Sequence, residues 1–147
     1  MNYSTRTADA VHILVLIDLN ESDISSAGLA KSIATNPAHI RKLIAQLKKA
    51  GLIDSKRGIA CPSLTRKSEE ITLWDIYQAM EGDKQILHLD THTNPECHAG
   101  VHIQLALQDY YDNLQNSFQT QMNAVTLANI VEDYKKRVEP DFKGMDL

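Results

Sequence analysis

Five side chains able to ligate a transition metal fall within one short stretch: His88, His92, Cys97, His98 and His102. His98 and His102 stand four residues apart, on one face of any helix that has begun there. Two imidazoles with the Cys97 thiolate form a donor set suited to zinc or copper. The spacing matches no trusted metal motif, however, and histidine pairs on a polar helix face are more often solvated or salt-bridged. No metal or cofactor is assigned, and Cys97, His98 and His102 stand only as the candidate ligands. A thiol near a helix N-terminus is the more reactive for its position, so a redox-active Cys97 stays open beside the plainer reading of an inert thiol. Cys61 has only Lys56 and Arg57 for a basic environment. No nucleophile–base pair, phosphate-binding glycine loop or pair of catalytic carboxylates stands at a useful spacing, and the chain is not read as an enzyme.

The second chemically loaded stretch is basic. The chain of 147 residues has a net charge of −4, but the charge is distributed unevenly: −3 over residues 1–30, +8 over residues 31–67 and −9 over residues 68–147. A polyanion partner docked on one segment fits that distribution. Asn36, Ala38, His39, Arg41 and Lys42 fall in the first turns of a basic helix, where side chains reach base edges in a major groove. Lys48 and Lys49 lie nearer its end and suit phosphates. Ser26, opening the preceding helix, is counted with the same surface. Lys56 and Arg57, at a hairpin tip, are placed to enter or flank the minor groove. A run of charge on a helix is usually only a solvated face, but here it carries one sign, an N-cap and a following hairpin.

These residues need elements to position them. Ser4 is read as the cap of a helix running to about Leu19, with Ala8, Val11, Val15 and Asp18 at helical spacing and Leu14 and Ile17 beside them. Ser25 or Ser26 precedes a short helix to Ile33 with Leu29 and Ile33 inward. Asn36-Pro37 is a strong start signal, Gly51 a stop, and Ile40, Leu43, Ile44 and Leu47 form the buried stripe between them. Leu52–Ser55 and Ile59–Leu64 read as two short strands. Thr72 with Asp75 opens a further helix, with Leu73, Ile76, Tyr77 and Met80 inward, that stops at Gly82. Trp74 with Tyr77 reads as packing between that helix and the basic head, and His12 as a residue at the edge of the core.

Residues 85–96 read as loop. From about Ala99 to Asn123 the pattern predicts a helix of roughly 25 residues, about 37 Å long. Its apolar side carries Ile103, Leu107, Tyr110, Leu114, Phe118, Met122 and Val125. A stripe that long calls for a partner, most simply the same helix of a second copy. Thr126 caps a last helix to about Arg137, and the final ten residues read as frayed. Three regions result: a head over 1–82, a loop or sensor segment over 83–98 and a helical dimerisation region over 99–147.

The order helix, short helix, tight turn, basic helix and two-stranded wing is a winged helix-turn-helix, a mainly α architecture with a small β wing. The sequence resembles an Rrf2-type bacterial transcription regulator over nearly its whole length. The resemblance is carried by Ser4-Thr5-Arg6 with Asp9-Ala10-Val11, and by Ile40-Arg41-Lys42-Leu43 with Leu47-Lys48-Lys49-Ala50-Gly51-Leu52-Ile53. Ser55-Lys56-Arg57-Gly58 adds the wing, and Glu70-Ile71-Thr72-Leu73-Trp74-Asp75-Ile76 leading to Glu81-Gly82 is the most specific stretch. It implies a homodimer joined through the long helix, each subunit reading half of a pseudo-palindromic operator in double-stranded DNA. It also implies that Ser4, Arg6, the 36–42 helix start and Arg57 face that DNA.

Two departures stand out. The family's wing usually continues with two glycines and an aromatic, where this chain has Ile59-Ala60-Cys61-Pro62-Ser63, one residue shorter and stiffer. Many relatives also carry three cysteines before the long helix that hold an iron–sulfur cluster. Here only Cys97 lies in that region. At a five-residue gap the other two thiols would fall on Gln85 and Thr91, which do not bind iron as thiolates do. A cysteine-poor member without a cluster is the expectation.

The function expected is therefore a sequence-specific regulator, a repressor by preference. Two alternatives stay open: a helical adaptor with residual DNA affinity, and a metal- or thiol-sensing regulator using residues 88–102. The effector is unknown. Neither a membrane span nor a signal peptide is legible, so a cytoplasmic location is the default.

Overall fold

The computed structural model describes residues 4–21, 23–55, 62–89 and 92–143. The elements are helices α1 (Arg6–Leu19), α2 (Ser26–Ile33) and α3 (Pro37–Lys49), strands β1 (Ile53–Asp54) and β2 (Ser63–Leu64), and helices α4 (Leu73–Glu81), α5 (His98–Asn123) and α6 (Leu127–Lys143). A 3₁₀ turn at Ser68–Glu70, not anticipated, precedes α4.

Helix α1 sits at the centre, packed by α2, α3, α4, α6 and β2. Its buried residues are Ala10, Ile13, Leu14, Val15 and Ile17. Ala8 and Asp18, expected on the apolar side, are exposed. Apolar residues nearly encircle this helix, so periodicity alone selects no stripe and the neighbours decide it. The cap also differs: Thr5 occupies the N-cap without a side-chain bond, while the Ser4 Oγ accepts from the Arg6 N–H at 3.3 Å. His12, half-buried, bonds the Ser32 hydroxyl through Nε2 at 2.9 Å.

Helix α2 is capped by Ser25, whose Oγ accepts from the Gly28 N–H at 3.1 Å. Leu29 and Ala30 are buried and Ile33 only half so. The turn into α3 passes through Ala34 in the left-handed region, φ 61°, with the Thr35 N–H closing back on the Ala30 carbonyl at 2.9 Å. A Cβ there costs about 1–2 kcal/mol, against about 0.5–1 kcal/mol for the extra freedom of an unfolded glycine. Ala34→Gly is therefore expected to stabilise the fold by about 0.5–1 kcal/mol, read as a higher denaturation midpoint at unchanged slope.

Helix α3 follows its local signals. The Asn36 Oδ1 accepts from the His39 N–H at 2.8 Å, Pro37 occupies the first turn, and Gly51 at φ 77° ends the helix. Ile40, Leu43 and Leu47 are buried and Ile44 is half-buried. The wing's foot is the antiparallel pair Ile53↔Leu64 and Asp54↔Ser63; the first strand is shorter than the predicted Leu52–Ser55, and residues 59–61 of the second lie outside the described residues. Its tip, with Lys56, Arg57 and Cys61, lies outside the described residues.

The capping box at α4 forms as read: the Thr72 Oγ1 accepts from the Asp75 N–H at 3.1 Å and the Asp75 carboxylate from the Thr72 N–H at 3.0 Å. The same entry is stitched to the α5–α6 junction by main-chain bonds, Leu73 N–H to the Val125 carbonyl and Leu127 N–H to the Ile71 carbonyl, both 2.8 Å. Leu127 and Val131 join Ile13, Leu14, Leu43 and Ile76 in one continuous core. Trp74 and Tyr77 also make a contact the sequence did not indicate. They stack on each other at 5.5 Å and meet Phe118 edge-on at 6.4 and 5.5 Å, joining α4 to α5. Helix α6 runs six residues beyond Arg137 rather than fraying, with Glu132–Lys136 and Asp133–Arg137 pairs on its exposed side supporting it.

Candidate nucleic-acid interface

The buried side of α3 fixes what its other side shows. With Ile40, Leu43 and Leu47 locked into the core, Ala38, Arg41, Lys42, Ala45, Lys48 and Lys49 are all exposed, within one arc of about a third of the helix circumference. Among the described residues no carboxylate pairs with Arg41, Lys42, Lys48 or Lys49. Four uncompensated cations on a rigid rod form a field that attracts phosphates. Ala45 was missed in the sequence. It sits between Lys42 and Lys48 at the middle of the arc, where a methyl group lets the rod approach another surface closely. Its three- and four-residue spacing from Lys42 and Arg41 was the available signal.

The other candidates are distributed differently. His39 is half-buried, its Nε2 3.2 Å from the Asp9 Oδ2 on α1, so its ring ties the start of α3 to α1 instead of standing on the exposed arc. The Asn36 side chain is committed to the cap. Ser26, with Arg41, Lys48 and Ser55, lines a groove of about 350 Å³ between α2, α3 and the wing's foot.

Ser4 and Arg6 come together where the start of α1 meets the end of α4. The Arg6 Nη2 donates to the Glu81 Oε2 at 3.0 Å, and the Ser4 Oγ accepts from the Arg6 Nε at 3.3 Å. This latch joins the start of α1 to the end of α4. The Ser4 hydroxyl first, then Arg6, hold the largely buried Glu81 carboxyl below its ordinary range, against the opposing effect of burial. A depressed carboxyl pKa stabilises the fold above the unfolded value and loses that effect as pH falls through the folded one. The Tm difference between wild type and Glu81→Gln should be widest near neutrality and narrow as pH drops below the ordinary value of 4.5. A constant difference across that range would show that the latch carries no linked proton.

In the 83–98 region, Cys97 is the N-cap of α5, its Sγ accepting from the Gly100 N–H at 3.4 Å. The His98 and His102 rings lie side by side, 6.0 Å apart and 13° from parallel, and the His102 Nδ1 bonds the His98 carbonyl at 2.7 Å. Among the described residues no three His, Cys, Asp or Glu side chains gather to hold a metal. Along α5, Ile103, Tyr110 and Leu114 are 64, 69 and 55 % exposed. Leu107 and Phe118 are half-buried and Met122 buried.

Comparison with known proteins agrees with this geometry. A family model described as "Rrf2: Iron-dependent Transcriptional regulator" matches residues 3–133. YwnA of Bacillus subtilis (strain 168), whose name places it among HTH-type transcriptional regulators, is 31 % identical over 128 residues, covering 87 % of this chain and 96 % of YwnA. A crystal structure described as a DNA binding protein superposes with TM-score 0.70 at 32 % identity, over 85 % of this chain and 97 % of that one. The B. subtilis global cysteine regulator CymR shares the fold at TM-score 0.67 and 19 % identity, over 90 % of this chain and 97 % of its own.

The iron in the family description does not fit the donors of this chain. The segment between α4 and α5 holds one thiol, Cys97, which serves as a helix cap, and Gln85 and Thr91 are not iron–sulfur ligands. With the family model matched over residues 3–133 and a 31 % identical relative covered almost in full, the chain belongs to the Rrf2 family of transcriptional regulators.

Proposed function

We propose that the protein is a DNA-binding regulator that acts as a homodimer in the cytoplasm and represses transcription by occupying a pseudo-palindromic operator. The observation that carries this reading is the exposed arc of α3, which carries four cations and no carboxylate and is backed by buried Ile40, Leu43 and Leu47. Arg41 and Lys42, in the first half of the rod, read base edges, with Ala38 and Ala45 against the groove floor. Lys48 and Ser26 take phosphates, and Lys56 and Arg57 reach the flanking groove from the wing. His39 and Asn36 act by holding the rod's start in place.

The homodimer reading rests on the apolar side chains of α5 that the described residues leave open, Ile103, Tyr110 and Leu114 above all. Residues 1–82 then serve as the reading head, 83–98 as the connecting segment and 99–147 as the pairing region. Among the described residues no helix is long and apolar enough to cross a membrane.

The test is an electrophoretic mobility shift on the DNA upstream of the protein's own gene, repeated over a salt series. Six to ten phosphate contacts across two heads predict a loss of about 10³–10⁵ in affinity between about 50 and 200 mM salt. Binding that ignores salt, or no binding, would falsify the reading.

A further inference from the structure

A second cluster of cations adjoins the C-terminal end of the α3 arc, where the ends of three helices meet. Arg6 at the start of α1, Gln46 and Lys49 at the end of α3, and Gln78, Glu81 and Lys84 at and beyond the end of α4 line one cleft of about 560 Å³. It holds three cations against one carboxylate, and that carboxylate is already engaged by Ser4 and Arg6. Lys84 is exposed, and its ammonium helps keep Glu81 ionised. Its backbone is fixed as well, since the Tyr77 hydroxyl donates to the Lys84 carbonyl at 3.3 Å.

The walls narrow the choice of ligand. Beside Ala50, Ala79 and Met80 they offer ammonium, guanidinium and amide N–H donors, which is the chemistry that meets a phosphate oxygen. The start of α1, at Arg6, brings its positive dipole end to the same place. Lys49 decides which phosphate. It belongs both to the exposed arc of α3 and to the cleft wall, so a strand backbone lying along the arc runs on into the cleft.

We propose that this cleft is a second phosphate-binding site for the DNA backbone, in which Lys84 is a contact residue and Glu81 tempers the charge. The inference rests on the DNA-binding reading above. It adds a consequence for regulation. Lys84 lies within the segment that leads from the reading head to α5, so whatever moves residues 83–98 moves a DNA contact directly. A contact of this kind carries no base information. It sets affinity and register on every sequence alike.

The test uses the full chain and fluorescence anisotropy on two duplexes of equal length, the DNA upstream of its own gene and a scrambled version, across a salt series. Lys84→Gln, removing one contact from each subunit, should weaken binding about three- to fivefold on both duplexes and flatten the salt slope by about two. Lys136→Gln, on α6, makes the same charge change away from the cleft and should leave both quantities at wild-type values. Glu81→Gln should tighten binding to both duplexes. If Lys84→Gln matches Lys136→Gln while the wild type binds, this proposal falls and the regulator reading stands. A wild-type chain that binds neither duplex overturns both.

Discussion

Alanine at Arg41 and Lys42 together should weaken operator binding about 100- to 1,000-fold, taking a bidentate base contact at about 1–3 kcal/mol and adding the lost phosphate attraction. Both side chains are exposed and bond to no other described residue, so the fold should survive and the variant should melt as the wild type does. Two measurements separate the roles. Loss of discrimination between operator and scrambled DNA reports base reading, and a smaller salt slope reports phosphate contacts. The single variants should divide the effect, Arg41→Ala costing mainly specificity because the guanidinium fork can grip a guanine edge, which an ammonium cannot. Unchanged affinity in the double variant would remove the α3 arc from the interface and favour a protein partner for the basic head.

Glutamate at Tyr110 and Leu114 should convert the proposed dimer to a monomer in sedimentation equilibrium. Each subunit would then present two carboxylates to their own symmetry mates, and an unpaired charge taken out of water costs several kcal/mol. Both positions are more than half exposed in the single chain, so the isolated subunit gives up no core contact and should keep its helical signal. The effect on DNA follows by linkage. Two joined heads gain about 10²–10⁴ in apparent affinity over one head on one half-site. The variant should lose a comparable factor on the full operator and much less on an isolated half-site. A double variant that still sediments as a dimer would place the subunit interface elsewhere.

How far the sequence could be read depended on the range of each interaction. The α3 reading head was legible because its determinants are local: Asn36 caps three residues away, Pro37 follows at once, Gly51 supplies a left-handed stop, and the buried residues repeat every three or four. The capping box at Thr72 and Asp75 was legible for the same reason. The latch between Arg6 and Glu81 was not, since it joins residues 75 positions apart and nothing in either local sequence announces it. His39 shows the same limit. Its position in the first turn of α3 suggested the reading face, and Asp9, thirty residues earlier, draws its ring to α1. The aromatic pair Trp74 and Tyr77 was legible as packing, but not as packing on Phe118. The stripe of α1 was misplaced because a helix apolar on nearly every side leaves the choice to its neighbours.

The main-chain stitch between the entry of α4 and the α5–α6 junction bears on how such a regulator can diverge. Leu73 bonds Val125 and Leu127 bonds Ile71 through backbone atoms alone, so most side-chain replacements at those four positions leave the bonds in place. The angle at which the head meets α5 is thereby insulated from mutational drift. In the dimer proposed above, descendants of this chain could exchange the residues that recognise a promoter while inheriting the separation between the two sites they recognise.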